Sequence, residues 1–476
     1  MEKLKSRLAQ ASKVQWAKGI TAVVVYILFI VWVQNFWWLL LTPFFFDAYV
    51  TRFVPWDWWK KSKSKILRAV MGWVDAIVFA LIAVSFVFTF VFRNYQIPTS
   101  SLEQTLLVGD FLAVSKFTYG PRIPMTPLAF PLAHHTMPFL GTRSYLERPQ
   151  WEYRRLRGLR NIKMNDIVVF NFPAGDTVAL RMQIPDFYTL VHQHGREAVV
   201  NNNLRDRDGN RVDIGRIVHR PVDRRENYVK RCVGLPGDTF EMRDRQIYIN
   251  GIHQPQLATI QHNYLVQTDG RALSQEALRR IGVRISNEDF RYSAHHLNAY
   301  WSSNLGLEFG RQVYVFPLTE EMRNTLENVS GIERIVMQPW EFGGSNMFPL
   351  GTDFGWNRDN FGPIYIPRRG DRLELTLENL PIYERLIRVY EGNALEVRNG
   401  IIYINNAPAT YYIVQMNYFW MMGDSRHNSL DSRSFGFVPE DHIVGTPLFV
   451  WLSIDRERGW FDGRIRWNRF FKRAGR

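Results

Sequence analysis

Little in this chain invites redox or metal chemistry. Cys232 is the single cysteine among 476 residues, so no intrachain disulfide can form. No Cys/His cluster has metal-ligand spacing, and neither metal nor cofactor is implied. A Gly-x-Ser-x-Gly elbow is also missing. The 11 histidines, His134, His135, His192, His194 and His427 among them, have no recognisable catalytic neighbourhood and read as loop or surface residues. Any reactive serine here must therefore find a base other than the usual imidazole. Negative charge is short as well: 45 Asp and Glu face 59 Lys and Arg, a net +14.

Such an excess suits an anionic partner, lipid or nucleic acid. The basic residues are scattered and no nucleic-acid reading module is present, so nucleic acid is not expected. The aromatic residues favour lipid, since the chain holds 16 Trp and 33 Phe, many of them near the N-terminus, and Trp and Tyr collect at bilayer interfaces. Residues 19–46 carry no charge before Asp47, and residues 69–92 carry only Asp75. Each exceeds the roughly 20 residues a membrane span needs. The first is too long and aromatic for a cleaved signal peptide. Positive charge gives conflicting orientations. Arg52, Lys60, Lys61, Lys63, Lys65 and Arg68 place the linker in the cytoplasm, yet Lys3, Lys5, Arg7, Lys13 and Lys18 prefer the same side. Gln34, Asn35 and Pro43 make the first segment a poor uniform span, so an interfacial or re-entrant course is open. The second segment exports everything after Arg93.

Beyond Arg93 the pattern is mainly β. "DIVVFNF" (166–172), "RQIYING" (245–251), "RLELTL" (372–377) and "GIIYIN" (400–405) are short β-branched or aromatic runs bounded by turn residues. Helical periodicity appears around 274–282 and 319–329. "EMRDRQIYIN" (241–250) and "EVRNGIIYIN" (396–405) echo each other, which with their similar lead-in segments suggests a duplicated strand–turn–strand unit. The expected organisation is a membrane anchor at 1–93 and a β-rich core at 94–255 and 369–450 with a polar insertion at about 174–226. An inserted domain or cap at 256–368 and a basic aromatic tail at 451–476 complete it. The tail reads equally as a solvated terminus or as a rest on anionic headgroups.

The stretch "NYQIPTSSLEQTLLVGDF" (94–111) follows the second apolar run and holds adjacent serines. A serine hydroxyl needs a base, and without histidine the alternative is a lysine made neutral by burial. Lowering its pKa by about 2 to 3 units costs about 3 to 4 kcal/mol and requires a dry pocket. Lys230 in "NYVKRCVGLPGD" fits, with Tyr228 and Cys232 alternating on one strand face.

Four blocks in order, "IPTSSLEQTLLVGDFLAVSKFTYG", "NDIVVFNFP", "YVKRCVGLPGD" and "GDSRHNSLDSRSFGFVPEDHIVG", resemble the type I bacterial signal peptidases, the leader peptidases of the Ser/Lys class. The resemblance implies an antiparallel β-sheet catalytic core of the signal-peptidase type, anchored by N-terminal transmembrane helices in the bacterial inner membrane, with the catalytic domain on the periplasmic side. It implies cleavage of exported pre-proteins after small residues of the Ala-x-Ala type. The family's Pro-Ser-x-Ser-Met motif falls on Pro98 to Leu102, making Ser101 the nucleophile, with Thr99 and the Ser101 amide as oxyanion donors and Lys230 as general base. Ser429 matches the serine that orients the lysine, and Asp431, Arg433 and Asp424 match supporting residues. Leu102 and Gln104 depart from the usual Met and Pro. Ser425 and His427 depart from the usual Gly-Asp-Asn-Arg-Asp-Asn-Ser. "WNRDNFGP" (356–363) mimics that block and reads as a decoy. Gapless alignment of the echo puts Arg385 opposite Lys230, and arginine cannot serve as a base. The other readings are a self-cleaving Ser/Lys repressor, which the apolar segments oppose, and an inactive relative acting as a pre-protein-binding or scaffold component of export. Only about eight residues separate Phe92 from Ser101, at most roughly 30 Å extended, so the nucleophile stays near the bilayer.

Overall fold

The computed structural model describes residues 8–206, 208–271, 273–283, 295–296, 299–339 and 347–475. Lys3, Lys5 and Arg7, Arg476 of the tail, and parts of the 256–368 segment lie outside the described residues.

Two helices are long and apolar enough to cross a membrane. Helix α1 (Lys13–Val33) starts at a capping box between Ser12 and Gln15 and stops where Gln34 turns left-handed, φ 53°. The 19–46 segment is thus not one helix. After Asn35 the chain passes through a 3₁₀ turn (Phe36–Leu41), a short helix (Thr42–Phe46) and a π turn (Asp47–Thr51). This leg returns alongside α1. Trp38 packs on Phe29, Phe45 on Tyr26 and Phe46 on Trp16, and a Cβ on Gly19 would lie 2.4 Å from Val50. The break falls at the two polar amides, which cap the turn instead of entering a helix interior.

Helix α2 (Lys65–Phe90) is capped by Ser64, whose hydroxyl accepts from the Leu67 amide. None of its residues is buried; nearly all of its apolar surface faces outward. The C-terminal ends of α1 and α2 meet through Phe29, Trp32, Phe86 and Phe90.

The chain then enters a sheet directly. Strands β1 (Phe92–Gln96), β2 (Asp110–Ser115), β3 (Ile167–Asn171) and β4 (Asn227–Gly234) join β13 (Tyr418–Met422), β14 (Val438–Pro439) and β15 (Ile443–Ser453). These form a seven-stranded sheet in the order β1-β2-β15-β3-β4-β13-β14, with antiparallel neighbours throughout. Strands from both 94–255 and 369–450 thus meet in this sheet. β3 is buried along its whole length because both faces are covered. Val168 and Phe170 enter one apolar cluster with Cys232 and Met421; Ile167 and Val169 enter another with Ile97, Leu102 and Leu106. Fully burying a side chain such as Phe170 stabilises the fold by roughly 1.5–3 kcal/mol.

The echo corresponds to two hairpins. β5 (Thr239–Arg243) pairs with β6 (Gln246–Ile249), and β11 (Leu395–Arg398) with β12 (Ile401–Ile404), in matching register. Each turns through two left-handed residues, Asp244-Arg245 and Asn399-Gly400, as tight hairpins require. The likeness extends to a third short strand on each, Ile252–His253 and Ala407–Pro408. It does not reach the lead-in segments, because Arg385 terminates a helix (Leu380–Arg385) whereas Lys230 lies on a strand.

Between the hairpins, β7 (His262–Thr268), β8 (Gln312–Leu318) and β9 (Ile332–Met337) form a separate sheet with its own apolar cluster. β10 (Phe361–Tyr365) pairs instead with β5. The tail is not solvated throughout, although Trp467 and Phe471 are exposed. Ala474 is fully buried, and Arg469 donates to Asp110 at 2.9 Å and to the Thr105 carbonyl at 3.1 Å. A carboxylate as buried as Asp110 needs a cation beside it, and Arg469 supplies one.

Candidate active site

Three chain segments converge where the curved sheet meets the loop after β1. That loop runs Ile97 to Gly109. Ile97, Leu102 and Leu106 drive it into the core, while the Leu107 amide and the Asp110 carboxylate close it at 2.8 Å. Ser101 is held between two anchoring apolar residues and is itself buried.

Lys230 comes from β4, opposite Val168 of β3. Tyr228 and Cys232, two positions to either side, share its face. Its Nζ lies 2.6 Å from Ser101 Oγ. Burial pushes the Lys230 ammonium down to about 8, against the opposing pull of Asp431 and Asp424. A buried cation without an adjacent counter-charge loses its hydration with little return, so the neutral amine becomes accessible near pH 8. Cys232, also on this face, is fully buried, and burial pushes its thiol up, which suits packing rather than reactivity.

The third segment follows β13. Asp424 is fully buried and bonds Arg231, the neighbour of Lys230, through Nε at 2.7 Å and Nη2 at 2.6 Å. It also accepts from Thr105 Oγ1 at 2.8 Å. One carboxylate thereby ties the serine loop, the lysine strand and its own loop together. Asp431 and Arg433 form a second buried pair at 2.8 Å, and Asp431 accepts from the Gly423 amide at 3.2 Å. Arg433 beside it, with help from hydrogen bonds, outweighs burial and holds the Asp431 carboxyl below the usual range. Gly423 cannot carry a side chain: a Cβ there would lie 2.3 Å from Ser429 Oγ and 2.7 Å from the Ser101 carbonyl oxygen.

Ser429 departs from expectation. Its Oγ is buried with no hydrogen-bond partner among the described residues, so it does not hold Lys230. The hydroxyl sits over Gly423 and the Ser101 carbonyl, while the amine is engaged with Ser101. Thr99 is exposed at the mouth, and among the described residues neither its hydroxyl nor the Ser101 amide is engaged.

Several contributors were not singled out from the sequence. Asn428 donates to Ser100 Oγ at 3.2 Å, and the Ser425 amide to the Ser101 carbonyl at 3.1 Å. Arg231 was legible only as a charge next to the lysine. The "WNRDNFGP" segment is no decoy: Asp359 bonds His427 at 2.8 Å, Arg358 donates to the His427 carbonyl at 2.7 Å, and Arg433 donates to the Arg358 carbonyl at 2.8 Å. His427, where the resembled family has Asp, is thus met by a carboxylate from outside the block. His262 packs edge-on against the His427 ring at 5.3 Å, and among the described residues no hydrogen bond ties His442 or His134 to the serine or the lysine. His442 bonds Asp441, and His134 faces the Arg225 carbonyl.

Comparison with known proteins agrees with this arrangement of segments. The family described as signal peptidase, peptidase S26, matches residues 70–296 and 370–452. Signal peptidase I of Buchnera aphidicola subsp. Acyrthosiphon pisum is 22% identical over 414 residues, covering 86% of this chain and 82% of that protein. The Haemophilus influenzae signal peptidase I is 22% identical over 412 residues, 87% of this chain and 78% of its own. That of Helicobacter pylori 26695 is 22% identical over 422 residues, 86% and 95%. The matched family segments take in the serine loop, the lysine strand and the Gly423 block alike, and on that breadth the chain belongs to the signal peptidase, peptidase S26, family.

Proposed function

We propose that this protein is a membrane-bound serine endopeptidase that removes signal peptides from exported pre-proteins. Membership of the family supports signal-peptide cleavage in general. The observation that carries the mechanism is the 2.6 Å contact between a buried amine and a buried hydroxyl. Neutral Lys230 takes the Ser101 proton as Oγ attacks the scissile carbonyl. Thr99 Oγ1–H and the Ser101 N–H donate to the oxyanion. The Lys230 ammonium then protonates the departing amine, and water, deprotonated by the same lysine, releases the acyl-enzyme.

Substrate would add to the free edge of β1, which pairs only with β2 among the described residues. An extended segment gains main-chain hydrogen bonds there, and its alternate side chains point to shallow pockets that favour small residues. A labelled model pre-protein in detergent tests the assignment. Ser101→Ala and Lys230→Ala are expected to leave no detectable cleavage, and Thr99→Val to lower kcat by about 10²–10³ with little change in KM. Full activity in either alanine variant would refute the dyad.

The anchor would lie in the bacterial inner membrane with the catalytic sheet on the periplasmic face. The return leg after Asn35 supports one orientation. Val50 lies back beside Gly19, so Lys13 and Lys18 share an end with Arg52 and the lysine-rich linker, and that end is cytoplasmic. A reporter fused to Met1 is expected to stay protease-protected in intact spheroplasts; digestion there would overturn this orientation.

A further inference from the structure

A cleft of about 260 Å³ opens where α2 meets the sheet. Its charge is one-sided: Arg93, Lys116, Arg122 and Arg224 line it against one carboxylate, Asp223. Asp223 is already engaged, accepting from the Thr126 amide at 2.9 Å and hydroxyl at 2.7 Å. Arg122 donates to Asn171 at 2.8 Å. Arg224 spends both terminal nitrogens on carbonyls of His134 and Thr126, and its Nε lies 4.0 Å from the Asp223 carboxylate. Arg93 rests over the Tyr95 ring. Lys116 makes no side-chain hydrogen bond or ion pair among the described residues. Burial and the guanidinium ions of Arg93, Arg122 and Arg155 push it down to about 7. His134 is pushed by burial to about 4 and adds no charge at neutral pH.

The place of the cleft matters as much as its charge. The Lys116 amide bonds the carbonyl of Val91, the residue that ends α2, at 2.9 Å. Ser85, Phe88 and Thr89 from the last turns of α2 form one wall. Below them Ile77, Val78, Leu81 and Ile82 are exposed on the same helix. A cationic hollow therefore sits directly above an uncovered apolar surface.

We propose that this cleft binds the phosphate of one anionic glycerophospholipid, whose acyl chains lie along α2. The inference rests on the membrane reading above. Phosphate oxygens accept from Lys116 Nζ and Arg93, supplying the anion that these two cations lack. An acidic peptide segment would satisfy the cations but leave the helix wall bare, so lipid is the better match. Basic hollows beside membrane helices are suited to such headgroups.

The test uses the full chain in mild detergent with mixed phosphatidylglycerol and phosphatidylcholine, and counts lipid retained per protein by native mass spectrometry. One phosphatidylglycerol is expected to be retained in preference to phosphatidylcholine. Lys116→Gln and Arg93→Gln, each checked for an unchanged melting temperature, should each weaken retention about fivefold. Ser101→Ala should retain lipid as wild type does, which separates this site from the proposed chemistry. Flotation with neutral vesicles checks the anchor independently. Equal retention of both lipids, or displacement by millimolar inorganic phosphate, would overturn the proposal. So would unchanged retention in both Gln variants, including the case where they impair only pre-proteins with acidic residues before the cleavage site.

Discussion

Lys230→Met is expected to lower pre-protein cleavage by at least about 10³-fold while making the protein more stable at neutral pH. The first effect follows from losing the base, since a positioned proton acceptor contributes 10²–10⁴-fold and no histidine bonds Ser101. The second follows from the cost of burial. Lys230 has a folded-state pKa of about 8 against a usual 10.5. Below pH 8 the amine is charged in both the folded and unfolded chains, and the folded state bears the full desolvation penalty of about 3 kcal/mol. Between pH 8 and 10.5 the unfolded chain binds more protons, so wild-type stability rises with pH. Above 10.5 both forms are neutral and the penalty is gone. Methionine, close in volume and apolar, removes the penalty. The gain should therefore be largest below pH 8 and fade towards pH 10.5 in urea unfolding of the detergent-solubilised protein. The same titration sets the rate profile: kcat/KM of the wild type should climb about tenfold per pH unit below 8 and level off above it. A profile flat from pH 6 to 9, or a variant that is less stable at pH 7, contradicts the neutral-amine account.

Asp424→Ala is expected to cost about 3–5 kcal/mol of stability, measured the same way, and to abolish activity. The carboxylate is fully buried between Arg231 and Thr105. Removing it leaves the Arg231 guanidinium, itself 2% exposed, without a counter-charge, and an orphaned buried cation is far more costly than a missing pair. The double variant Asp424→Leu with Arg231→Met should recover most of the stability, because an apolar pair of similar volume is often neutral. It should not recover full activity, since the tie between the serine loop and the Gly423 block is gone. Recovery of neither, or a mild effect of the single change, would show that the pair is not what joins the three segments.

The two proposed reacting residues were legible because each sits in a short contiguous block whose character survives alone. Ser101 follows an apolar helix and a proline, and Lys230 stands on a strand between apolar neighbours. The hairpins at 239–249 and 395–404 were legible for the same reason, as both are short β-branched or aromatic runs followed by Asn. Ser429 was misjudged. A motif records that a serine belongs in the loop, but the direction of its hydroxyl depends on Gly423 and the Ser101 carbonyl pressing against it. Asp359 was misjudged in the opposite sense, since nothing local to "WNRDNFGP" reveals that His427, far along the chain, waits for a carboxylate.

Alone, the string of residues settled which segments avoid water, where the backbone turns, and which side chains have the chemistry to attack and to accept a proton. These follow from nearest-neighbour patterning, which needs no knowledge of the rest of the molecule. Tertiary structure decided the rest: that 36–51 folds back on α1, that the tail braces Asp110 through Arg469, and that Asp424 meets Arg231. Each of these joins partners whose encounter is set by how the whole chain buries its apolar surface and compensates its buried charges, and no window of sequence contains that sum.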